Sequence, residues 1–241
     1  KNFIVFLHEG DKVKKIGAKY HQFFGVQFAI RESIRATRPS GDKKIGVIYH
    51  TTGSGKSYSM LFFAAMLIRE PKLDNPSIVI QVDRNDLDEQ LYATFVEGYS
   101  LIGHVRHAED TDTLRTLLRG EAGQVIFSTI EKFRTKEEEI RHPILSERHN
   151  IIVIADEAHR TQAGFETGFA GHLRQALPNA SHIGFTGTPI DTVGKNTEEI
   201  FGHIIHTYNM AQAVADKATL PIYYESRLIP LDLNSKNVDE N

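Results

Sequence analysis

The chain has 241 residues, of which 40% are hydrophobic and 24% are charged, a composition typical of a globular rather than a disordered protein. The absence of cysteine excludes disulfides, thiolate metal ligands and a cysteine nucleophile. The longest apolar run, residues 60–68, is too short to span a membrane. We therefore expect a cytoplasmic protein with no membrane partner.

The charge is unevenly distributed along the chain. The net charge is −3 overall, but residues 1–44 carry +6 and the remainder carries −9. This basic N-terminal segment could contact a polyanion, although lysines that merely solvate a surface explain it equally well. The overall charge therefore neither establishes nor excludes a nucleic-acid partner.

Five short runs rich in isoleucine and valine predict buried parallel strands, at residues 44–49, 77–82, 124–128, 151–155 and 182–186. Amphipathic stretches between them predict helices, at residues 56–69, 87–97, 112–119 and 165–176. The charged stretch 135–150 predicts a helix with a surface loop. This alternation indicates an α/β fold, with a mostly parallel sheet covered by helices on both faces. Residues 1–232 are then one domain, and the polar residues 233–241 are a linker.

The first predicted strand runs into the sequence HTTGSGKS at residues 50–57, and a helix follows. Glycines and small residues in such a loop let backbone N–H groups converge on phosphate oxygens at a helix N-terminus. Lys56 is then expected to reach the β- and γ-phosphates, and the Ser57 hydroxyl to bind Mg²⁺. His50 stands where the common pattern has its first glycine.

The fourth predicted strand ends in Asp156 and Glu157. The carboxyl ends of parallel strands line one ligand crevice, so this acidic pair is expected to face the phosphate loop. Asp156 could hold Mg²⁺, and Glu157 could orient or deprotonate an attacking water. The two motifs together indicate hydrolysis of a nucleoside triphosphate.

Taken together, the motifs resemble those of the restriction (R, HsdR) subunit of type I restriction–modification enzymes, whose motor is the first RecA-like domain of a superfamily 2 helicase or translocase. The motifs stand in the expected order: HTTGSGKS at 50–57, DRNDLDEQ at 83–90, DEAHRTQ at 156–162 and GFTGTP at 184–189. His50 also fits this subgroup. The resemblance covers about residues 20–230.

This resemblance implies a RecA-like P-loop ATPase that uses ATP and Mg²⁺ to translocate double-stranded DNA. Gln22 is expected to recognise adenine, with Gln27 as a competing candidate. The triphosphate and metal are expected to be held by Thr52, Gly53, Ser54, Gly55, Lys56 and Ser57, with Asp156 on the metal and Glu157 activating water. Residues expected to contact DNA without base readout, or to couple it to the nucleotide, are Asp83, Arg84, Thr129, His159, Thr186 and Thr188.

Partners follow from the same resemblance. They are duplex DNA, the methyltransferase and specificity subunits of the complex, and a second RecA-like domain supplying an arginine finger. The residues after Thr219 are too few for that second domain, so we expect this chain to be a fragment, with the second motor domain and the nuclease domain outside it. We therefore expect ATP binding with weak autonomous hydrolysis, in a chain whose nuclease centre lies elsewhere.

Two alternatives remain open at this point. One is a different superfamily 2 motor, such as an RNA helicase or a remodeller. The sequence Gly-Thr-Pro at residues 187–189, however, is unlike that of most RNA helicases. The other is a nucleotide-gated interaction module that does not hydrolyse, against which Glu157 argues. The pairs His104/His107 and His203/His206 are expected to be surface histidines, and the phenylalanines at helical spacing, Phe23, Phe24 and Phe28, to pack in a core.

Overall fold

The computed structural model describes residues 2–9, 12–82, 85–136, 139, 141–158, 169–188 and 195–220. Within these ranges, seven strands form one sheet in the order β5-β6-β4-β7-β8-β3-β9, and every neighbouring pair is parallel. The strands are β3 (Lys44–His50), β4 (Ser77–Val82), β5 (Val105–His107), β6 (Val125–Thr129), β7 (Ile151–Ala155), β8 (Ser181–Thr186) and β9 (Ile204–Tyr208). All their carboxyl ends therefore lie along one edge.

Helices connect the strands as the alternating pattern predicts. They are α1 (Tyr20–Ala36), α2 (Lys56–Arg69), α3 (Asn85–Glu97), α4 (Tyr99–Ile102), α5 (Thr111–Arg119), α6 (Phe169–Ala176), α7 (Lys195–Phe201) and α8 (Met210–Ala215). Local sequence explains several boundaries. Asp110 caps α5 by accepting from the Thr113 N–H at 2.7 Å, and Pro71 follows the end of α2. No described helix has the length and apolarity needed to cross a bilayer.

The sheet is buried on both faces because its strands send alternate side chains to opposite layers. On β4, Ile78 and Ile80 pack with α1, α2 and α3, whereas Val79 packs with α5 and α6. A smaller cluster joins Val47 and Ala155 to α7. Near-continuous apolar runs are what a parallel sheet covered on both sides requires. The predicted α/β architecture, a RecA-like parallel sheet between helical layers, is confirmed.

An antiparallel hairpin stands apart from this sheet. Its strands are β1 (Ile4–Glu9) and β2 (Lys12–Gly17), and Val5 and Leu7 are buried in the core cluster that also contains α1 and α2. The sequence patterns singled out neither this hairpin nor the sheet's edge strands β5 and β9. The described residues of 135–150 contain no helix, so that prediction is wrong there. The bounds 1–232 and 233–241 stay predictions, since 221–241 lie outside the described ranges.

Candidate active site

The phosphate loop, residues 51–55, joins the end of β3 to the start of α2. Gly53 and Gly55 have φ values of 81° and 86°, a left-handed backbone that favours glycine. Gly55 occupies the N-cap of α2, so Lys56 and Ser57 lie in the first helical turn. The loop therefore directs a helix N-terminus, with its unpaired N–H groups, towards the carboxyl edge of the sheet.

The acidic loop, residues 156–158, follows β7 and is held between two neighbouring strands. The Asp156 N–H donates to the Gln81 carbonyl of β4 at 2.9 Å, and the Ala158 N–H donates to the Phe185 carbonyl of β8 at 3.0 Å. Between them, Glu157 has a φ of 47°, in the left-handed region that non-glycine residues rarely adopt. Strain of this kind is characteristic of functional sites held by their surroundings.

Lys56 connects the two loops. Its Nζ donates to Glu157 Oε1 at 2.5 Å and lies 3.3 Å from Asp156 Oδ1, and the three side chains are only 15–25% exposed. Asp156 Oδ1 is buried and has no hydrogen-bond partner, since its contact with Lys56 is an ion pair without hydrogen-bond geometry. The predicted meeting of phosphate loop and acidic pair at one crevice is therefore present in the structure.

The loop after β8 also contacts the phosphate loop. A Cβ at Gly187 would lie 3.0 Å from Thr52 Oγ1, so a side chain there would press on the loop. The Thr188 N–H donates to Thr186 Oγ1 at 3.1 Å, which fixes this turn. Sequence reasoning assigned roles to Thr186 and Thr188 but gave none to Gly187. The close approach of Gly187 to Thr52 is a steric reason for a residue without a side chain at this position.

Gln22 lies against the phosphate loop from the first turn of α1. Its Oε1 accepts from the Lys19 N–H at 2.7 Å, and its Nε2 donates to the Gly55 carbonyl at 2.8 Å. Gln22 is buried and Gln27 is half-buried. Of the two candidates, Gln22 is the one with a contact to the loop, and its role towards adenine stays a prediction.

His50 is fully buried at the end of β3, and its Nε2 lies 2.9 Å from His206 Nδ1. The prediction that His206 is a surface histidine is therefore wrong, because β9 places it against His50; His203 is exposed as expected. Phe23, Phe24 and Phe28 are each at least 40% exposed, so the predicted core packing is also wrong. The helical spacing of the three phenylalanines predicts that they share one face of α1, but it does not predict whether that face is buried.

The predicted DNA-contacting residues are only partly described. Thr129 is buried at the end of β6, and Thr186 is buried at the end of β8. Both stand at the same sheet edge as the phosphate loop. Asp83, Arg84 and His159 lie outside the described residues. A cavity of about 830 Å³ lies near the amino ends of the strands, beside Leu73 and Arg148, and none of the predicted site residues line it.

Comparison with known proteins agrees with this geometry. The sequence profile of the SWI2/SNF2 ATPase family matches residues 21–241, most of the chain. The chain belongs to the SWI2/SNF2 ATPase family. Within the family match lie both the phosphate loop and the acidic pair.

Curated relatives of this SWI2/SNF2 ATPase chain are subunits of type I restriction enzymes. It is 51% identical to the HindI endonuclease subunit of Haemophilus influenzae, over 98% of this chain and 24% of that protein. It is 40% identical to the MjaIXP endonuclease subunit of Methanocaldococcus jannaschii, over 94% of this chain and 21% of that protein. The chain thus spans about a quarter of the length of these relatives, and the predicted resemblance is confirmed.

Solved structures with low sequence identity share the fold of this SWI2/SNF2 ATPase. The type ISP restriction–modification enzyme LlaBIII bound to DNA aligns with a TM-score of 0.58 and 15% identity, over 86% of this chain and 16% of that one. The SWI2/SNF2 ATPase core of Sulfolobus solfataricus in complex with double-stranded DNA aligns with a TM-score of 0.51 and 16% identity, over 77% and 36% of the two chains.

Proposed function

We propose that this chain is the ATP-dependent motor domain of a type I restriction enzyme, binding and hydrolysing ATP with Mg²⁺ to translocate double-stranded DNA. The observation that carries the proposal is the ion-paired meeting of Lys56 with Asp156 and Glu157, at a helix N-terminus. Cation, acidic pair and phosphate-binding backbone are the parts that phosphoryl transfer from a nucleotide requires.

Nucleotide binding uses the backbone of residues 52–55 and the side chain of Lys56. Lys56 exchanges its carboxylate partners for phosphate oxygens when the triphosphate enters, because the phosphates compete for this cation with the Asp156 and Glu157 carboxylates, both of which lie within 3.3 Å of its Nζ. The Ser54 hydroxyl is buried, so its residue contributes through the backbone. Gln22, which donates to the Gly55 carbonyl, is proposed to recognise the base.

The residues present fit a magnesium ion. The hard oxygen ligands that Mg²⁺ prefers are supplied by Ser57 in the first turn of α2 and by Asp156, whose Oδ1 lacks a hydrogen-bond partner. When bound, the ion supplies neutralising charge to the triphosphate. Glu157, released from Lys56, accepts a proton from the attacking water or orients it.

Duplex DNA is proposed to cross the carboxyl edge of the sheet. Thr129, Thr186 and Thr188 stand at strand ends on that edge and are proposed to act with Asp83, Arg84 and His159. The names of the relatives, which are endonuclease subunits of type I restriction enzymes, support membership of a restriction complex. A cytoplasmic location, and methyltransferase subunits, specificity subunits and a second motor domain as partners, are part of the proposal. The DNA-bound structures with the same fold support the nucleic-acid track.

ATPase measurements with duplex DNA, single-stranded DNA, RNA and no nucleic acid test the proposal. We expect stimulation by duplex DNA that does not depend on its sequence. Stimulation by RNA alone would identify a different motor, and ATP binding without turnover in the complete complex would identify a non-hydrolysing module. Arg84→Ala should reduce the dependence of log K on log salt by about one unit, equally for unrelated duplexes.

A further inference from the structure

Behind the phosphate loop lies a cluster of four rings that the proposed chemistry does not use. We call it the histidine cluster: His21 from α1, His50 from β3, and His206 and Tyr208 from β9. His21 and His50 are at most 1% exposed, and the His21 ring stacks on the Tyr208 ring at 3.7 Å with an angle of 7°. The cluster is therefore a packed unit between α1 and the edge of the sheet.

The cluster contacts the backbone of the loop directly. His21 Nε2 lies 3.0 Å from the Ser54 carbonyl oxygen, and the Tyr208 carbonyl accepts from the Thr51 N–H at 2.9 Å. A carbonyl oxygen can only accept, so His21 carries its proton on Nε2 and donates. With the Gln22 bond to the Gly55 carbonyl, three backbone groups of the loop are bonded to residues of α1 and β9.

The direction of these bonds matters for anion binding. A loop that presents N–H groups to a phosphate must turn its carbonyl groups the other way, and buried carbonyls need donors. His21 is that donor for the Ser54 carbonyl, and Gln22 adds a side-chain donor to the Gly55 carbonyl, which also accepts from N–H groups in the first turn of α2. The cluster therefore favours the backbone orientation that a triphosphate requires.

The rest of the cluster holds His21 and His50 in place. A Cβ at Gly25 would lie 3.3 Å from both His50 Nε2 and His206 Nδ1, so the glycine of α1 leaves room for that ring pair. The Tyr208 hydroxyl donates to Asp216 at 2.9 Å, and the Tyr20 hydroxyl donates to the same carboxylate at 2.6 Å. Burial lowers the pKa of His21, of His206 and of His50, the last to about 3, so the rings are uncharged at neutral pH.

We propose that His21 and His50 are positioning residues for the nucleotide, which hold the phosphate loop in its anion-binding conformation from the side opposite the ligand. This inference rests on the proposed binding of ATP at that loop. His50 then has a role that the glycine usual at its position cannot perform, since its ring packs edge-on against the His21 ring, with 5.3 Å between their centroids, and so keeps His21 beside the Ser54 carbonyl.

The test measures the affinity of the purified protein for MgATP by calorimetry and its melting temperature without nucleotide. His21→Leu removes the donor and is expected to weaken ATP binding by about tenfold or more, as for a buried carbonyl left unpaired. His21→Gln restores an N–H donor and should recover most of the affinity. His50→Gly, which installs the usual glycine, should also weaken binding. The matched control is His104→Gln, at an exposed histidine directly before β5, the edge strand farthest from β9 in the sheet.

A merely structural role would lower the melting temperature while leaving the ATP affinity of the folded protein unchanged, and this result would overturn the inference. Equal affinities of His21→Leu and His21→Gln would overturn the assigned hydrogen bond. Lys56→Ala separates the two proposals. If the unaltered protein binds ATP and Lys56→Ala does not, an unchanged affinity in the histidine variants counts against the cluster alone. If the unaltered protein binds no ATP, the proposed function itself fails.

Discussion

At the scale of single residues, Lys56 is the side chain on which the proposed nucleotide site depends. It lies within ion-pair distance of both Asp156 and Glu157, and it is only 15% exposed. Lys56→Ala removes this cation and leaves two partly buried carboxylates facing the phosphate loop. We expect MgATP affinity to fall by several kcal/mol, on the order of 10²-fold or more, in a calorimetric titration. Lys72→Ala, at an exposed lysine, is the control and should bind normally.

Glu157 is expected to separate binding from chemistry. Glu157→Gln keeps the shape of the side chain but removes its capacity to accept a proton. Steady-state turnover of ATP should therefore fall by about 10²-fold or more while binding persists. The measurement belongs in the complete subunit with duplex DNA. Unimpaired hydrolysis in this variant would move the role of base to another residue.

At this scale the sequence predicted the meeting of two contiguous motifs, while the chemical roles of their residues stay predictions. The loop at 50–57 and the pair Asp156 and Glu157 carry their chemistry in a few neighbouring letters, and the structure brings them together. The histidine cluster could not be predicted in the same way. His206 and Tyr208 lie more than 150 residues from His50 and meet it only because β9 pairs with β3.

At the scale of elements, the central strands were predictable and the edge strands were not. Runs such as IIVIA in β7 are apolar throughout because helices cover both faces. Strands β5, with sequence VRH, and β9, with IIHTY, are edge strands with mixed composition, so neither shows that pattern. The sequence of the hairpin β1–β2 alternates only weakly between apolar and polar residues, and the side chains of its second strand are mostly exposed.

The packing of β8 against the acidic loop leads to a prediction at Gly184. A Cβ there would lie 2.7 Å from Ala158 Cβ, a separation that requires movement of the residue next to Glu157. Gly184→Ala should lower the free energy of unfolding by about 1–3 kcal/mol and reduce ATP turnover. Denaturant unfolding with an ATPase assay checks both effects. In Gly17→Ala, where nothing lies within 4 Å, stability should change by less than about 0.5 kcal/mol.

At the scale of the whole molecule, buried histidines make stability depend on pH. Burial lowers the pKa of both His50 and His182 to about 3, against an ordinary value of 6.5. Between these values the unfolded chain binds more protons than the folded one, so stability is full above pH 6.5 and falls as the pH drops towards 3. Lowering the pH from 7.5 to 5.5 should reduce the free energy of unfolding by about 1.4 kcal/mol for each such histidine.

Urea unfolding at the two pH values measures this loss. His182→Gln removes one of these titrating groups, so its loss of stability between pH 7.5 and 5.5 should be smaller by about 1.4 kcal/mol. Equal pH dependence in the variant and the unaltered protein would show that His182 gains a proton in the folded state. Exposed His149→Gln provides the comparison for a histidine on the surface.

The contact between Lys56 and Glu157 has a consequence for the rate of nucleotide loading. Because the ammonium donates to this carboxylate at 2.5 Å, an arriving triphosphate must first break an ion pair before Lys56 is available to it. Association should then be an activated step, slower than electrostatically steered encounter permits. Stopped-flow mixing with a fluorescent ATP analogue should show faster association in Glu157→Gln than in the unaltered protein. The same carboxylate would thus delay the arrival of the substrate whose hydrolysis it is proposed to promote.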